Sequence, residues 1–206
     1  MNIHILKFLY KSLLGRNTDL KNSEQLVMTC IKKAYKDMLS GGRFFSLNKK
    51  AIICSKMNNI LKNNNYTFSR EMIRDLQQSF DSDKMEITVN GRTKTASSFG
   101  LAQKIVNMTF KYLYCVHNLL DFKIDFTICD CPLDSIILKG INSNLKWTNI
   151  SEKDYVKVQS LIDESLSQKK LDNELHELGR LAYDFIKIDA FSFLTNSTYM
   201  IGYNEP

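Results

Sequence analysis

Residues that interrupt helices are scarce in this sequence. Two prolines and eight glycines occur among 206 residues, and because these two types disfavour a helix interior most, long stretches are free to become helical. No apolar run approaches the roughly 20 residues of a membrane span. The hydrophobic fraction of 44% and the charged fraction of 24% lie near globular averages, which argues against a disordered or fibrous chain.

Several familiar chemical signatures are missing as well. There is no P-loop, no G-x-G-x-x-G and no nucleophile elbow. The five cysteines are odd in number and irregularly spaced, which is typical of reduced thiols in a cytoplasmic protein. A zinc site built from Cys115, His117, Cys129 and Cys131 is a poor alternative, because C-x-C is not the usual ligand spacing. We expect no metal and no cofactor.

The N-terminal segment "MNIHILKFLYKSLLGR" is interrupted by Lys7 and Lys11 and does not end in a cleavage site typical of signal peptides. Its spacing predicts an amphipathic helix. We therefore expect an intracellular, soluble and monomeric protein without a membrane partner.

Positive charge is concentrated in the first half of the chain. Eight basic residues and one acidic residue lie between Lys32 and Lys62, whereas positions 150–206 hold ten acidic and six basic residues. Such a concentration favours a phosphate-binding face, although a solvated lysine face explains it equally well. The basic residues expected to contact a nucleic-acid backbone are Arg43, Lys49, Lys50 and Lys56, with Arg92 and Lys94 further along.

Helical periodicity dominates the hydrophobic pattern and predicts an all-α fold. The exception is "MEITVNGRTK", where alternating residues around Asn90-Gly91 predict a small β-hairpin near 86–94. A long helix is predicted over 101–120 and a short one from Pro132. The chain is expected to form a single helical domain over 1–206, or two lobes with a cleft near 97–141.

One face of the predicted helix 101–120 is polar. Gln103, Lys104, Asn107 and Lys111 fall together at 100 degrees per residue, opposite a stripe of apolar residues. This composition differs from the Glu/Lys mixture of ordinary solvated helices. It indicates a lined groove, with plain solvent-exposed surface as the alternative.

Two segments carry the residues of chemical interest: "SSFGLAQKIVN" (97–107), which contains the first part of this polar face, and "CPLDSIIL" (131–138), which follows the helix. The first places Lys104 just after a turn at Gly100, and the second places Asp134 thirty residues later at the start of a helix. This layout resembles that of the helix-hairpin-helix DNA glycosylases, and is most similar to their archaeal 8-oxoguanine branch. The resemblance implies a two-lobed helical fold and double-stranded DNA with a flipped, damaged or modified base as the partner.

The resemblance also implies a role for individual residues. Lys104 would be the nucleophile that attacks C1′ and Asp134 the carboxylate that stabilises the transition state. Ser98, Gly100, Gln103, Asn107 and Lys111 would contact DNA, and Lys111 is the fallback nucleophile. The chain departs from the family in having one glycine at the hairpin and no four-cysteine iron–sulfur loop. The alternative is a non-catalytic basic module for nucleic acid or protein, with Lys104 and Asp134 as a salt bridge.

Overall fold

The computed structural model describes residues 22–39, 47–80, 84–89 and 92–169. Most of these residues are helical, in agreement with the predicted class. The N-terminal segment and a last helix predicted near 172–188 lie outside the described residues. The described residues form six α-helices: α1 (Ser23–Met38), α2 (Leu47–Asn63), α3 (Glu71–Gln77), α4 (Ser98–Val116), α5 (Ser135–Gly140) and α6 (Glu152–Lys169).

The predicted hairpin is present and is longer than expected. Strand β1 (Lys84–Val89) pairs antiparallel with β2 (Arg92–Ser97), and the register places Val89 opposite Arg92. Strand β2 runs directly into α4, which begins at Ser98. A strand therefore precedes the lysine-bearing helix, where the helix-hairpin-helix layout needs a helix.

Two residues at the start of α1, Asn22 and Ser23, are of types that cap helices. Ser23 fits an N-cap by type, but the cap is Asn22, whose side chain accepts a hydrogen bond from Gln25 N at 2.9 Å. The Ser23 hydroxyl accepts a hydrogen bond from Asp121 N at 2.8 Å instead. It thereby fixes the loop that follows α4.

Helix α4 is the centre of the core. It runs from Ser98 to Val116, so it begins and ends earlier than predicted, and almost all of its residues are buried. Helices α1 and α3 pack against it, and α2 packs against both of them. The buried side chains of these helices form one cluster with Trp147, Ile150 and Tyr155 from the C-terminal part. A helix covered on nearly every side places any polar residue it carries in the interior.

None of the helices in the described part of the chain has the length and apolar character needed to span a bilayer.

Candidate active site

The first turn of α4 is held tightly by the short 3-10 turn Trp147–Asn149. Ser97 caps the helix by accepting a hydrogen bond from Gly100 N at 2.9 Å, and it donates to Ile150 O at 3.1 Å. A Cβ on Gly100 would lie 2.5 Å from Trp147 O and 2.8 Å from Thr148 O. Gly100 is therefore a close-packing residue inside a helix and does not form a turn, which corrects the expected hairpin and its contact with DNA.

Lys104 and Asp134 meet in the structure. The Lys104 amine lies 3.1 Å from Asp134 Oδ2, although the two residues are thirty positions apart. The Lys104 side chain is 6% exposed and that of Asp134 is 34% exposed. The amine also lies 5.8 Å from the centre of the Trp147 ring, within cation–π range. The pair is thus open to solvent on the carboxylate side and covered on the amine side.

Asp134 is the N-cap of α5. Its Oδ1 accepts hydrogen bonds from Ile136 N at 2.9 Å and Ile137 N at 3.0 Å. This arrangement uses one oxygen for the helix and leaves Oδ2 for Lys104. The negative charge then lies at the positive end of the helix dipole.

Two glutamine side chains hold the segment that leads to Asp134. Gln103 donates to Leu133 O at 3.1 Å and accepts from Leu133 N at 3.2 Å. Gln159 on α6 donates to Cys131 O at 2.7 Å and accepts from Cys131 N at 3.0 Å. Each amide satisfies one buried backbone donor and one acceptor, as a neighbouring β-strand would. We call residues 131–133 the clamped segment.

A second network lies beneath the clamped segment. Asn107 donates to the Tyr155 hydroxyl at 2.8 Å, and Tyr155 donates to Asp130 Oδ2 at 3.0 Å. Arg70 binds both oxygens of Asp130: its Nε donates to Oδ2 at 2.6 Å and its Nη2 donates to Oδ1 at 3.0 Å. Burial, and then the negative charge of Asp130, raise the pKa of Tyr155 well above its ordinary value. The phenol therefore stays protonated and keeps its donor.

Three polar residues expected to line a DNA groove are inside the protein. Ser98, Gln103 and Asn107 are at most 1% exposed. Ser98 accepts a hydrogen bond from Gln77 at 3.0 Å, and the other two bind the clamped segment. The prediction that they contact DNA is corrected, because another part of the chain already occupies that face.

The predicted basic residues lie on α2, α4 and β2 or outside the described part. Lys49 and Lys50 are half-buried on α2, where Lys50 lies 6.0 Å from the centre of the Tyr35 ring, and Lys56 is exposed. Lys111 is half-buried on α4. Arg43 is not in the described residues; Arg92 and Lys94 lie on β2, and their side chains are not described.

Four residues of these networks were not among the predicted site residues: Asp130, Trp147, Tyr155 and Gln159. Gln159 carried a usable signal, because it falls next to Val158 on the face of α6 that also buries Tyr155 and Ile162. A polar residue on such a face predicts a buried hydrogen bond. Nothing comparable marked Trp147, whose partner Lys104 is distant in the chain.

Two open clefts lie elsewhere on the described surface. One of about 540 Å³ is bordered by Arg70, Arg74 and Glu152, and one of about 530 Å³ by Tyr114, His117 and Phe126. Neither includes Lys104 or Asp134. Within the described ranges, no group of three or more His, Cys, Asp and Glu residues is arranged to hold a metal ion.

Comparisons with protein-family models, with curated proteins and with solved structures give no match. The functional interpretation therefore depends on the geometry of the residues themselves.

Proposed function

We propose that this chain is a DNA glycosylase with lyase chemistry, and that it excises a damaged or modified base with Lys104 and Asp134. The observation that carries the proposal is the 3.1 Å approach of the lysine amine to Asp134 Oδ2. An amine and a carboxylate brought together from distant parts of a chain, with the carboxylate partly open to solvent, supply a nucleophile and a stabiliser of positive charge.

The reaction uses both groups in sequence. The ammonium proton of Lys104 passes to Asp134 and then to the departing base. The neutral amine attacks C1′ of the flipped nucleotide, a C–N bond forms, and the glycosidic bond breaks with its electron pair leaving on the base. Once its proton has been passed on, the Asp134 carboxylate stabilises the positive charge that develops on the sugar. In the resulting adduct a proton of the secondary ammonium passes to O4′ as the C1′–O4′ bond breaks, which leaves a Schiff base between Lys104 and C1′. Loss of a proton from C2′ then expels the 3′ phosphate and cleaves the strand.

The reaction requires that the Lys104 amine become accessible to the bound nucleotide. Because 6% of the Lys104 side chain is exposed, the amine must move away from the Trp147 ring toward the exposed side of Asp134. The exposed Lys32, Lys36 and Lys56 on α1 and α2 supply positive charge for phosphate contacts. Lys62 contributes less to that charge because it pairs with Glu24.

The second candidate is a non-catalytic basic module. The same 6% exposure favours it, since a covered lysine bound to one carboxylate and one ring also fits a purely structural ion pair. In that case α1 and α2 would bind nucleic acid and the pair would have no reaction to perform.

One experiment separates these functions. A duplex with a single 8-oxoguanine, the base that the resemblance implies, is incubated with the protein, and alkali-labile sites and borohydride-trapped complex are measured. We expect both signals with the native chain, and we expect Lys104→Gln to abolish trapping and Asp134→Asn to lower base release by at least about tenfold. Lys157→Gln, which changes an exposed lysine on α6, is the control and should retain both signals.

Two other results would reject the enzyme. Duplexes with alkylated, oxidised and deaminated bases extend the test, and no release from any of them would contradict the proposal. Retardation of DNA that persists in both Lys104→Gln and Asp134→Asn, without base release, would support the binding module. In either case binding should weaken steeply with salt.

A further inference from the structure

The approach of Asp134 to Lys104 depends on a short segment of irregular backbone. Residues 131–133 have no helix or strand assignment, and Asp134 follows them directly. Irregular backbone in the interior is held only where its N–H and C=O groups find partners. Those partners determine where the carboxylate is placed.

Gln103 is well suited to set that position. It is fully buried, lies next to Lys104 on α4, and forms paired hydrogen bonds with Leu133, the residue before Asp134. One side chain on the lysine-bearing helix therefore fixes the backbone from which the carboxylate extends. Gln159 holds the far end of the clamped segment through Cys131.

We propose that Gln103 is a positioning residue that sets the distance between the Lys104 amine and the Asp134 carboxylate. The role in catalysis rests on the proposed glycosylase function, whereas the geometric role does not. A displacement of about 1 Å at a reacting group lowers rates by about 100-fold. A loss of the amide pair should therefore affect the chemical step more than DNA binding.

Gln103→Met is the direct test, because methionine fills a similar volume but cannot pair with Leu133. We expect the single-turnover rate of base release to fall by at least about tenfold while the Kd for substrate DNA changes by less than about threefold. Gln103→Glu should restore most of the rate, since a neutral carboxyl offers one donor and one acceptor. Thr109→Val is the control, because it removes a buried hydrogen bond of the same helix to Ile105 O, away from the clamped segment.

A second measurement works without any reaction. Amide NMR signals of Ile136 and Ile137 report on the Asp134 cap. We expect Gln103→Met to shift them and to speed their hydrogen exchange, Gln103→Glu to restore them, and Thr109→Val to leave them unchanged. These shifts would support the positioning role even if the native chain released no base. The absence of base release would then reject the glycosylase function but not the geometric role of Gln103.

Two results would overturn the inference. One is unchanged Ile136 and Ile137 signals in a folded Gln103→Met protein. The other is a loss of base release and of DNA affinity in Gln103→Met that is no larger than the loss of each in Thr109→Val, when the two variants have equal free energies of unfolding. Gln103 would then be an ordinary core residue.

Discussion

Removal of one partner of the Lys104–Asp134 pair should affect stability very differently from removal of the other. Lys104→Met replaces a covered ammonium with an apolar side chain of similar length. Asp134 then keeps its two backbone donors and remains 34% exposed to water. Because the carboxylate that is left is partly solvated and hydrogen-bonded rather than buried without a partner, we expect a change in the free energy of unfolding within about 1 kcal/mol of zero.

Asp134→Asn removes the charge but retains a good N-cap, since asparagine caps helices about as well as aspartate. The ammonium of Lys104, whose side chain is 6% exposed, is then left without its counter-charge. Loss of one partner of a buried pair costs about 3–5 kcal/mol, and we take about 3 kcal/mol because Asp134 itself is partly solvated. Asp134→Ala should cost about 1 kcal/mol more, since it also removes the cap.

The double variant Lys104→Met/Asp134→Asn completes the cycle. In the Lys104→Met background no ammonium is present, so Asp134→Asn should leave the free energy of unfolding nearly unchanged. The coupling energy between Lys104 and Asp134 is then about 3 kcal/mol. Urea unfolding of the four proteins at pH 7, followed by circular dichroism, measures these quantities. A coupling below about 0.5 kcal/mol would show that the two groups are not in contact in solution. A large loss in Lys104→Met would show that the lysine serves the fold.

Other consequences of the structure are open to simple tests. Gly100→Ala would add about 0.5–1 kcal/mol of stability in an ordinary helix. Here the new methyl group would overpack against the carbonyls of Trp147 and Thr148, which costs about 1–3 kcal/mol. We therefore expect a lower Tm, and an unchanged or higher Tm would contradict this packing. Burial raises the pKa of Tyr35 to about 12, and burial with Asp37 as hydrogen-bond partner raises that of Tyr112 further. Because the pKa values of these two tyrosines are higher in the folded than in the unfolded protein, their contribution to the free energy of unfolding is complete below about pH 10 and declines as the pH rises toward 12. Absorbance near 295 nm should therefore show that both phenols ionise at a higher pH in the folded protein than in denaturant. All five cysteines are buried, so they should react with a thiol reagent far more slowly than in urea, and fast labelling of the folded chain would disagree.

The sequence carried enough information for the class of fold and for the central pair. Helical periodicity and scarce prolines predicted the helices, and the alternation around Asn90-Gly91 predicted the hairpin. The helices and the hairpin depend on spacing within single elements, which a sequence displays directly. The joint role of Lys104 and Asp134 was instead what the resemblance to the glycosylases implied.

What lies opposite each face could not be predicted in the same way. The polar face with Gln103 and Asn107 was interpreted as a groove, yet residues 131–133 fill it. Helical periodicity gives the direction in which a side chain points, but it does not show which distant segment that side chain contacts. Gly100 was misassigned for the same reason, because only the carbonyls of Trp147 and Thr148, about fifty residues later, reveal why a side chain is excluded there.

The most direct test of the central claim is to identify the residue that becomes joined to DNA. The native chain is treated with borohydride on a duplex that holds a damaged base, the complex is digested, and the modified peptide is sequenced by mass spectrometry. We expect a reduced sugar adduct on the amine of Lys104. An adduct on Lys111 or any other residue, or no adduct on any damaged duplex, would contradict it.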